Sequence, residues 1–334
     1  MRRRIVVTGA TGFIGRRLVR QLLADGACVR VLVRSAARLD RASRGRVEVV
    51  TGDIRHEGSL EAALHDADTV LHLAALARAW SKDPSAFTET NERAVAKLLD
   101  IARHHGVRRL VHVSTVLTLG RDGGRSPAGA TPYERSKLAG ERLVEAYAKQ
   151  DGHAVIVHPT RVYGPGPLND ANGVTKMVDL YLRGRFRLRI ADGGARANYV
   201  HVDDVARGIR LAADSGLSGR HYPLGGDENP SLRDFLARVG SLAGRPRYTL
   251  PVAPAVARGL GLAGEFWGRL SGETSLTRGW VDVFLRDLPV DVGPTRRDLG
   301  YVPRPLDHGL RQTIDWLADS AEGDGDTIGT EEAA

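Results

Sequence analysis

The chain has 334 residues, 42% of them apolar and 26% charged, which is enough length and apolar content for a sizeable core and unlike a fibrous or disordered protein. Its 48 lysines and arginines exceed its 40 acidic residues by eight, but the excess is spread along the chain and has no interleaved aromatic residues, which argues against a nucleic-acid binder. A single cysteine, Cys28, excludes an internal disulfide, no Cys/His spacing suits zinc, and no run of about 18 apolar residues reads as a membrane span; a cytoplasmic protein without a metal is expected.

The first element is a short apolar strand, Ile5-Val6-Val7, which leads into Thr8-Gly-Ala-Thr-Gly-Phe-Ile-Gly15 and then a helical pattern. Glycines at 9, 12 and 15 let a backbone turn sharply, approach a pyrophosphate and pack a helix onto the strand, while the helix N-terminus attracts the phosphates. The spacing differs from Gly-x-Gly-x2-Gly, but the strand-turn-helix context is that of a dinucleotide-binding turn. Further strands are expected near 28–33, 47–51, 69–73, 109–114 and 153–158, with helices near 13–25, 57–65, 88–104 and 133–150. This alternation is the signature of an α/β fold, a doubly wound parallel sheet with ligands at the carboxyl ends of its strands. Tyr133-Glu-Arg-Ser-Lys137 lies in the last of these helices, and the pair with the glycine turn suggests an oxidoreductase that binds a nicotinamide cofactor.

Beyond Pro159 the rhythm breaks at Tyr163-Gly-Pro-Gly-Pro167, and a basic stretch with Arg183, Arg185, Arg187 and Arg189 follows. Tyr199 to Ala206 reads as a strand passing into a helix, and about 216 to 290 as mostly helical, including an apolar segment around Leu260, Phe266 and Trp267. The expected division is a Rossmann domain over residues 1–165 and about 197–215, a smaller substrate-binding domain over 166–196 and 216–316, and a disordered acidic tail over 320–334.

The ordered set of motifs resembles the extended short-chain dehydrogenase/reductases, also called the NAD-dependent epimerase/dehydratase group. It comprises the glycine turn, Gly52-Asp-Ile54, Leu71-His-Leu-Ala-Ala75, Val113-Ser-Thr115, Tyr-x3-Lys, Val162-Tyr-Gly-Pro-Gly166, His201-Val-Asp-Asp204 and Leu299-Gly-Tyr-Val-Pro303. Within the group the chain is most similar to the dihydroflavonol reductase and 3β-hydroxysteroid dehydrogenase-like branch, through Arg34, Ser275-Leu-Thr-Arg-Gly-Trp280 and Arg296-Arg-Asp-Leu-Gly-Tyr.

The resemblance implies that Tyr133 exchanges a proton with the substrate oxygen, that Lys137 lowers the phenol pKa and binds the nicotinamide ribose, and that Thr115, with Ser114 as the alternative, holds the carbonyl. It also implies cofactor contacts from Gly9, Thr11, Gly12, Phe13, Ile14, Gly15, Asp53, Ile54, Leu73, Ala74, Ala75, Ser114 and Pro159. Arg34 stands where an NAD enzyme carries a carboxylate for the ribose hydroxyls; an arginine pairs instead with a 2′-phosphate, so NADP(H) is expected ahead of NAD(H). His158 replaces a common family arginine and reads as structural. His72, His112 and His201 read as satisfied core residues, Asn91 as an organiser of nearby backbone, and Asp203 and Asp204 as a helix N-cap and an anchor. Trp80 and Tyr163 are candidates for either the cleft or the core.

The function expected is reduction of a ketone or aldehyde, or oxidation of a secondary alcohol, by a monomer or homodimer whose partner is a small molecule. Two alternatives stand beside it: a nucleotide-sugar epimerase with bound NAD, which Arg34 and Arg196-Ala-Asn-Tyr199 disfavour, and a non-catalytic cofactor-binding module. Val116 and Leu117 follow Thr115 where sugar dehydratases place acidic residues, which disfavours elimination.

Overall fold

The computed structural model describes residues 3–78, 80–120, 131–150, 152–271, 274 and 277–323. Strands β1 (Arg4–Thr8), β2 (Cys28–Val33), β3 (Glu48–Thr51), β4 (Thr69–His72), β5 (Arg109–Val113) and β6 (Ala154–Pro159) match the expected six within a residue at each end. Beyond them come β7 (Arg161–Tyr163), β8 (Leu188–Ile190), β9 (Tyr199–His201), β10 (His221–Leu224) and β11 (Leu250–Val252). The main sheet runs β3-β2-β1-β4-β5-β6-β10, parallel throughout, with β7 paired to β9 and β8 to β11 outside it.

Helices α1 (Phe13–Ala24), α2 (Glu57–Leu64), α3 (Ser85–Thr88), α4 (Ala94–His104), α5 (Pro132–Lys149), α6 (Gly173–Leu182) and α7 (Val202–Ser215) alternate with these strands. The chain continues through α8 (Leu232–Leu242), α9 (Pro254–Ser271), α10 (Arg278–Leu285), α11 (Gly293–Leu299) and α12 (Leu306–Gly323). The sheet is apolar on both faces because both are covered. Val7, Val31, Leu71, Val111 and Val157 pack under α1 and α7 with Leu18, Val205 and Ile209. Val6, Leu32, Val70, Leu110 and Ile156 pack on the other side with Leu60, Leu98 and Val144 of α2, α4 and α5. Strand order reverses between β1 and β4, and the crevice that this opens at their carboxyl ends is where such sheets take ligands.

Three expectations are corrected. The helix read at 88–104 begins at Ser85 and contains a π-helical turn over Glu89–Arg93. The segment read as helical from 216 contributes the seventh strand, β10, on the outer edge of the sheet. Helix α12 continues through Gly323, so residues 320–323 of the expected tail are helical, and 324–334 lie outside the described residues. So do Ser275 and Leu276 of the quoted branch motif.

A smaller core joins α6, α8 and α12 around Tyr163, Tyr181, Tyr199, Phe235 and Leu310. Tyr163 therefore belongs to the core and not to the cleft: it is 1% exposed and its hydroxyl donates to the Leu306 carbonyl.

Candidate active site

The turn from β1 into α1 is built by exclusion. Gly9 has φ +74°, and a Cβ there would lie 2.7 Å from the Ala74 nitrogen; at Gly15 it would lie 2.1 Å from the Gly9 oxygen. Strand β1, helix α1 and the segment after β4 thus approach as closely as backbone allows, with Gly12 N donating to Gly9 O at 3.0 Å and Ala74 N to Thr8 Oγ1 at 3.2 Å. Gly12 caps α1, whose first turn holds no acidic residue, so its N–H groups and dipole favour an anion. Phe13 is buried against Gly166, and Thr11, Ile14, Leu73, Ala74 and Ala75 are half-buried around the turn.

Farther along the same edge, Arg34 directly follows β2 and is exposed. It lies near enough to Asp53 for its charge to help hold that carboxyl low, although the main cause is the Arg55 side chain, which brings Asp53 to about 2. Ile54, three residues past β3, and Pro159, the last residue of β6, are buried.

Across the crevice, Thr131 caps α5 by accepting from Glu134 N at 3.2 Å, with Pro132 in the first turn. This sets Tyr133 at the helix start and Lys137 one turn on. Thr115, just past β5, opens a 3₁₀ turn over Val116–Thr118, accepts from Leu117 N at 3.4 Å, and has its side chain close enough to Tyr133 to favour the phenolate. Ser114 turns away: its hydroxyl is buried and donates to Glu141. The surroundings of Tyr133 are apolar, formed by Val116, Leu117, Leu119, Trp280, Val283, Leu288 and Val290. Trp80 lies close to α9, its ring facing Gly268.

The electrostatics differ from expectation. Burial pushes the Tyr133 hydroxyl up to about 12, the Thr115 side chain opposes this, and Glu141 and Glu134 add to it. Lys137 does not lower it, because its ammonium is directed at β5, donating to the Val113 carbonyl at 2.8 Å with His112 Nε2 at 3.4 Å. Burial brings Lys137 down to about 8, and Glu141 holds it up. At neutral pH the site therefore presents a protonated phenol beside an ammonium.

Asn91, in the π-helical turn, accepts from Leu76 N at 2.8 Å and donates to Leu76 O at 3.1 Å and Ser136 Oγ at 2.9 Å. It thus ties the segment after β4 to α5. His72, His112 and His201 are each only half satisfied: His72 Nδ1 meets Thr8 Oγ1 at 2.8 Å, while among the described residues His72 Nε2, His112 Nδ1 and His201 Nε2 have no partner. The cap of α7 is His201, which accepts from Asp203 N, and not Asp203 itself; Asp204 is the anchor expected, bonded to Arg304 and Arg207. Sequence reasoning passed over Glu141, although it lies one turn beyond Lys137 on the same helix face, a signal that was available.

Comparison with known proteins decides the family. The sequence pattern of the NAD-dependent epimerase/dehydratase family matches residues 5–225. The chain belongs to that family. It is 32% identical to a putative dihydroflavonol 4-reductase of Synechocystis, over 93% of each chain. It is 28% identical to the 2-alkyl-3-oxoalkanoate reductase of Stenotrophomonas maltophilia, over 92% of this chain and 98% of that one. Among solved structures, the dTDP-glucose 4,6-dehydratase DesIV of Streptomyces venezuelae, which holds NAD, superposes with a TM-score of 0.74 at 28% identity, covering 97% and 98% of the two chains. The protein is accordingly an enzyme of the oxidoreductase type. Among the described residues no helix is long and apolar enough to cross a membrane.

Proposed function

We propose that this chain reduces an apolar ketone or aldehyde, or oxidises the matching secondary alcohol, with NADP(H). The observation that carries this reading is a protonated Tyr133 inside an apolar pocket with the Thr115 side chain beside it. Tyr133 donates its proton to the carbonyl oxygen, which Thr115 holds in line, and the walls from α10 and Leu288 keep water from competing. Lys137, one turn along α5 from Tyr133 and an ammonium at neutral pH, is in this reading the group that binds the nicotinamide ribose.

The residues of the crevice fit the cofactor of the family. The Gly9–Gly15 turn admits backbone but not a Cβ, and it faces a helix start without acidic residues. In this reading the turn and α1 hold the pyrophosphate, Asp53 and Ile54 the adenine, and Arg34 the 2′-phosphate. Leu73 to Ala75, the backbone at Ser114 and Pro159 line the nicotinamide half, which when bound supplies or accepts the hydride. The division into a cofactor domain and a substrate-covering part belongs to the same proposal, with β10 moved to the former.

A second reading, a nucleotide-sugar epimerase or dehydratase that retains NAD, is favoured by the NAD in DesIV and by the family's description. The deciding experiment follows absorbance of the reduced cofactor with a panel of alkyl ketones, sterol-like ketones and aldehydes, using NADPH and NADH. Turnover of NADPH with an apolar carbonyl is the expected result. Release of bound NAD from the purified protein, with no net turnover, would instead support the second reading.

A further inference from the structure

Next to Thr115 runs a row of ionisable groups that the chemistry above does not require. His158, fully buried on β6, places Nδ1 3.0 Å from the Thr115 carbonyl oxygen and 3.2 Å from the Thr118 hydroxyl, which itself donates to that carbonyl at 2.7 Å. Its Nε2 lies 2.9 Å from Nδ1 of His221 on β10. The rings are 18° from parallel with centroids 5.1 Å apart, which is the nitrogen separation plus about one ring radius at each end, so the two rings meet edge to edge and the N–H···N bond lies in their common plane. His221 Nε2 then meets the Glu145 carboxylate at 3.0 Å, where the side chains are 27% and 24% exposed.

Donors and acceptors fix the protons along this row. A carbonyl only accepts, so His158 Nδ1 carries a hydrogen. Burial holds that ring neutral, with its pKa lowered to about 4, and leaves Nε2 as an acceptor. His221 must then donate from Nδ1, and the carboxylate takes a second hydrogen from Nε2. The row is complete only when His221 is doubly protonated. If that proton leaves, one of its two bonds fails; if His158 changes tautomer to keep the ring-to-ring bond, its lone pair faces the Thr115 carbonyl.

We infer that His158, His221 and Glu145 form a proton-operated latch on Thr115. A proton held at the surface by His221 and Glu145 fixes His158, and His158 fixes the turn that presents the Thr115 hydroxyl to Tyr133. His158 is a positioning residue in this arrangement. Other charged groups face it: Glu141 Oε1 on α5 at 3.8 Å, and Lys137, which opposes a proton on His158 as a protonated His158 opposes one on His112. Glu141, His158 and His221 also have ligand atoms within 4.8 Å of one another. The facing imidazole nitrogens, however, lie in line, so their lone pairs do not converge on a metal.

Imidazole ¹⁵N NMR on the protein without cofactor tests the proton arrangement independently of any assigned reaction. The expected spectrum shows His158 as the neutral Nδ1–H tautomer with Nε2 accepting from His221, and Glu145→Gln is expected to weaken that ring-to-ring bond. His158 found as the Nε2–H tautomer, no ring-to-ring bond to His221, or calorimetric binding of Zn²⁺ by wild type that His221→Phe abolishes, would overturn the latch. The kinetic arm rests on the carbonyl reduction proposed above. His221→Phe, which keeps a ring in place, should lower kcat about tenfold, the worth of one hydrogen bond, with KM unchanged. His158→Gln, whose amide still reaches the carbonyl, should retain kcat but lose the wild type's pH dependence. Any fall in rate as Lys137 deprotonates near pH 8 is common to all variants and cancels in the comparison. Variants that turn over at wild-type rate and pH dependence would refute the latch and leave carbonyl reduction standing. Absence of turnover in wild type would count against the reduction, while the NMR would still decide the latch.

Discussion

Tyr133 stands where its proton is retained, since an apolar pocket and two carboxylates all resist the phenolate. That setting suits a proton donor, and Tyr133→Phe removes the donor without altering the pocket. The expected loss in kcat is about 10² to 10⁴, with cofactor affinity within about twofold of wild type by calorimetry; a variant that keeps most of its activity would take Tyr133 out of the mechanism. Arg34 is exposed at the mouth of the crevice, and its proposed partner is a phosphate. Arg34→Ala should weaken NADPH binding by about 1.5 to 3 kcal/mol, or roughly 10 to 100-fold, leave NADH nearly unchanged, and make the preference for NADPH insensitive to salt. Equal losses for both cofactors would reject the 2′-phosphate contact. The positions of Tyr133, Lys137 and Arg34 were legible because motif spacing carries them. Their electrostatics were not, because the turn of Lys137 toward Val113 and His112 depends on how α5 sits across β5, which no local pattern encodes.

At the scale of elements, α1 can start where it does only because two backbones touch. A methyl group at Gly15 would meet the Gly9 oxygen at 2.1 Å, with no flexible side chain to yield, so the helix must shift away from the turn. Gly15→Ala is expected to cost about 1 to 3 kcal/mol in denaturant unfolding and to weaken cofactor binding more than it lowers stability, since the displaced helix start is the proposed phosphate site. Unchanged stability and affinity would show that the turn tolerates a side chain. The repeating β and α segments were readable from apolar runs and their punctuation. Strand β10 was not, because His221-Tyr-Pro-Leu224 is short and contains a proline, which a strand tolerates at the sheet edge that β10 occupies. Its pairing with β6 brings His221 to His158, so the missed strand and the missed row of histidines are one omission. The apolar segment of α9 was read correctly as helix, yet Leu260, Phe266 and Trp267 are 48%, 64% and 65% exposed, which periodicity alone does not reveal.

The molecule as a whole folds around histidines that it keeps uncharged. Burial is the leading cause at each: His72 and His201 are lowered to about 3, His158 to about 4, and His112 well below its ordinary value of 6.5. An unfolded chain takes up these protons near pH 6.5 and the folded chain refuses them, so their contribution to stability is complete above that pH. It is lost progressively as pH falls from about 6.5 toward 4 and 3. Each proton taken up on unfolding contributes about 1.4 kcal/mol per pH unit, so four together give a slope of roughly 5 kcal/mol per unit near pH 5, against a typical total of about 5 to 15. The carboxylates act in a lower window, since Asp53, held at about 2, loses its contribution only between 3.8 and that value. Acid unfolding above about pH 5 should therefore report the histidines. Urea midpoints measured at pH 8, 7, 6 and 5 are expected to change little between the first two and to fall steeply below pH 6. His158→Gln should reduce the acid slope by one proton's worth, and a profile that stays flat to pH 5 would show that these rings do not enter the core uncharged.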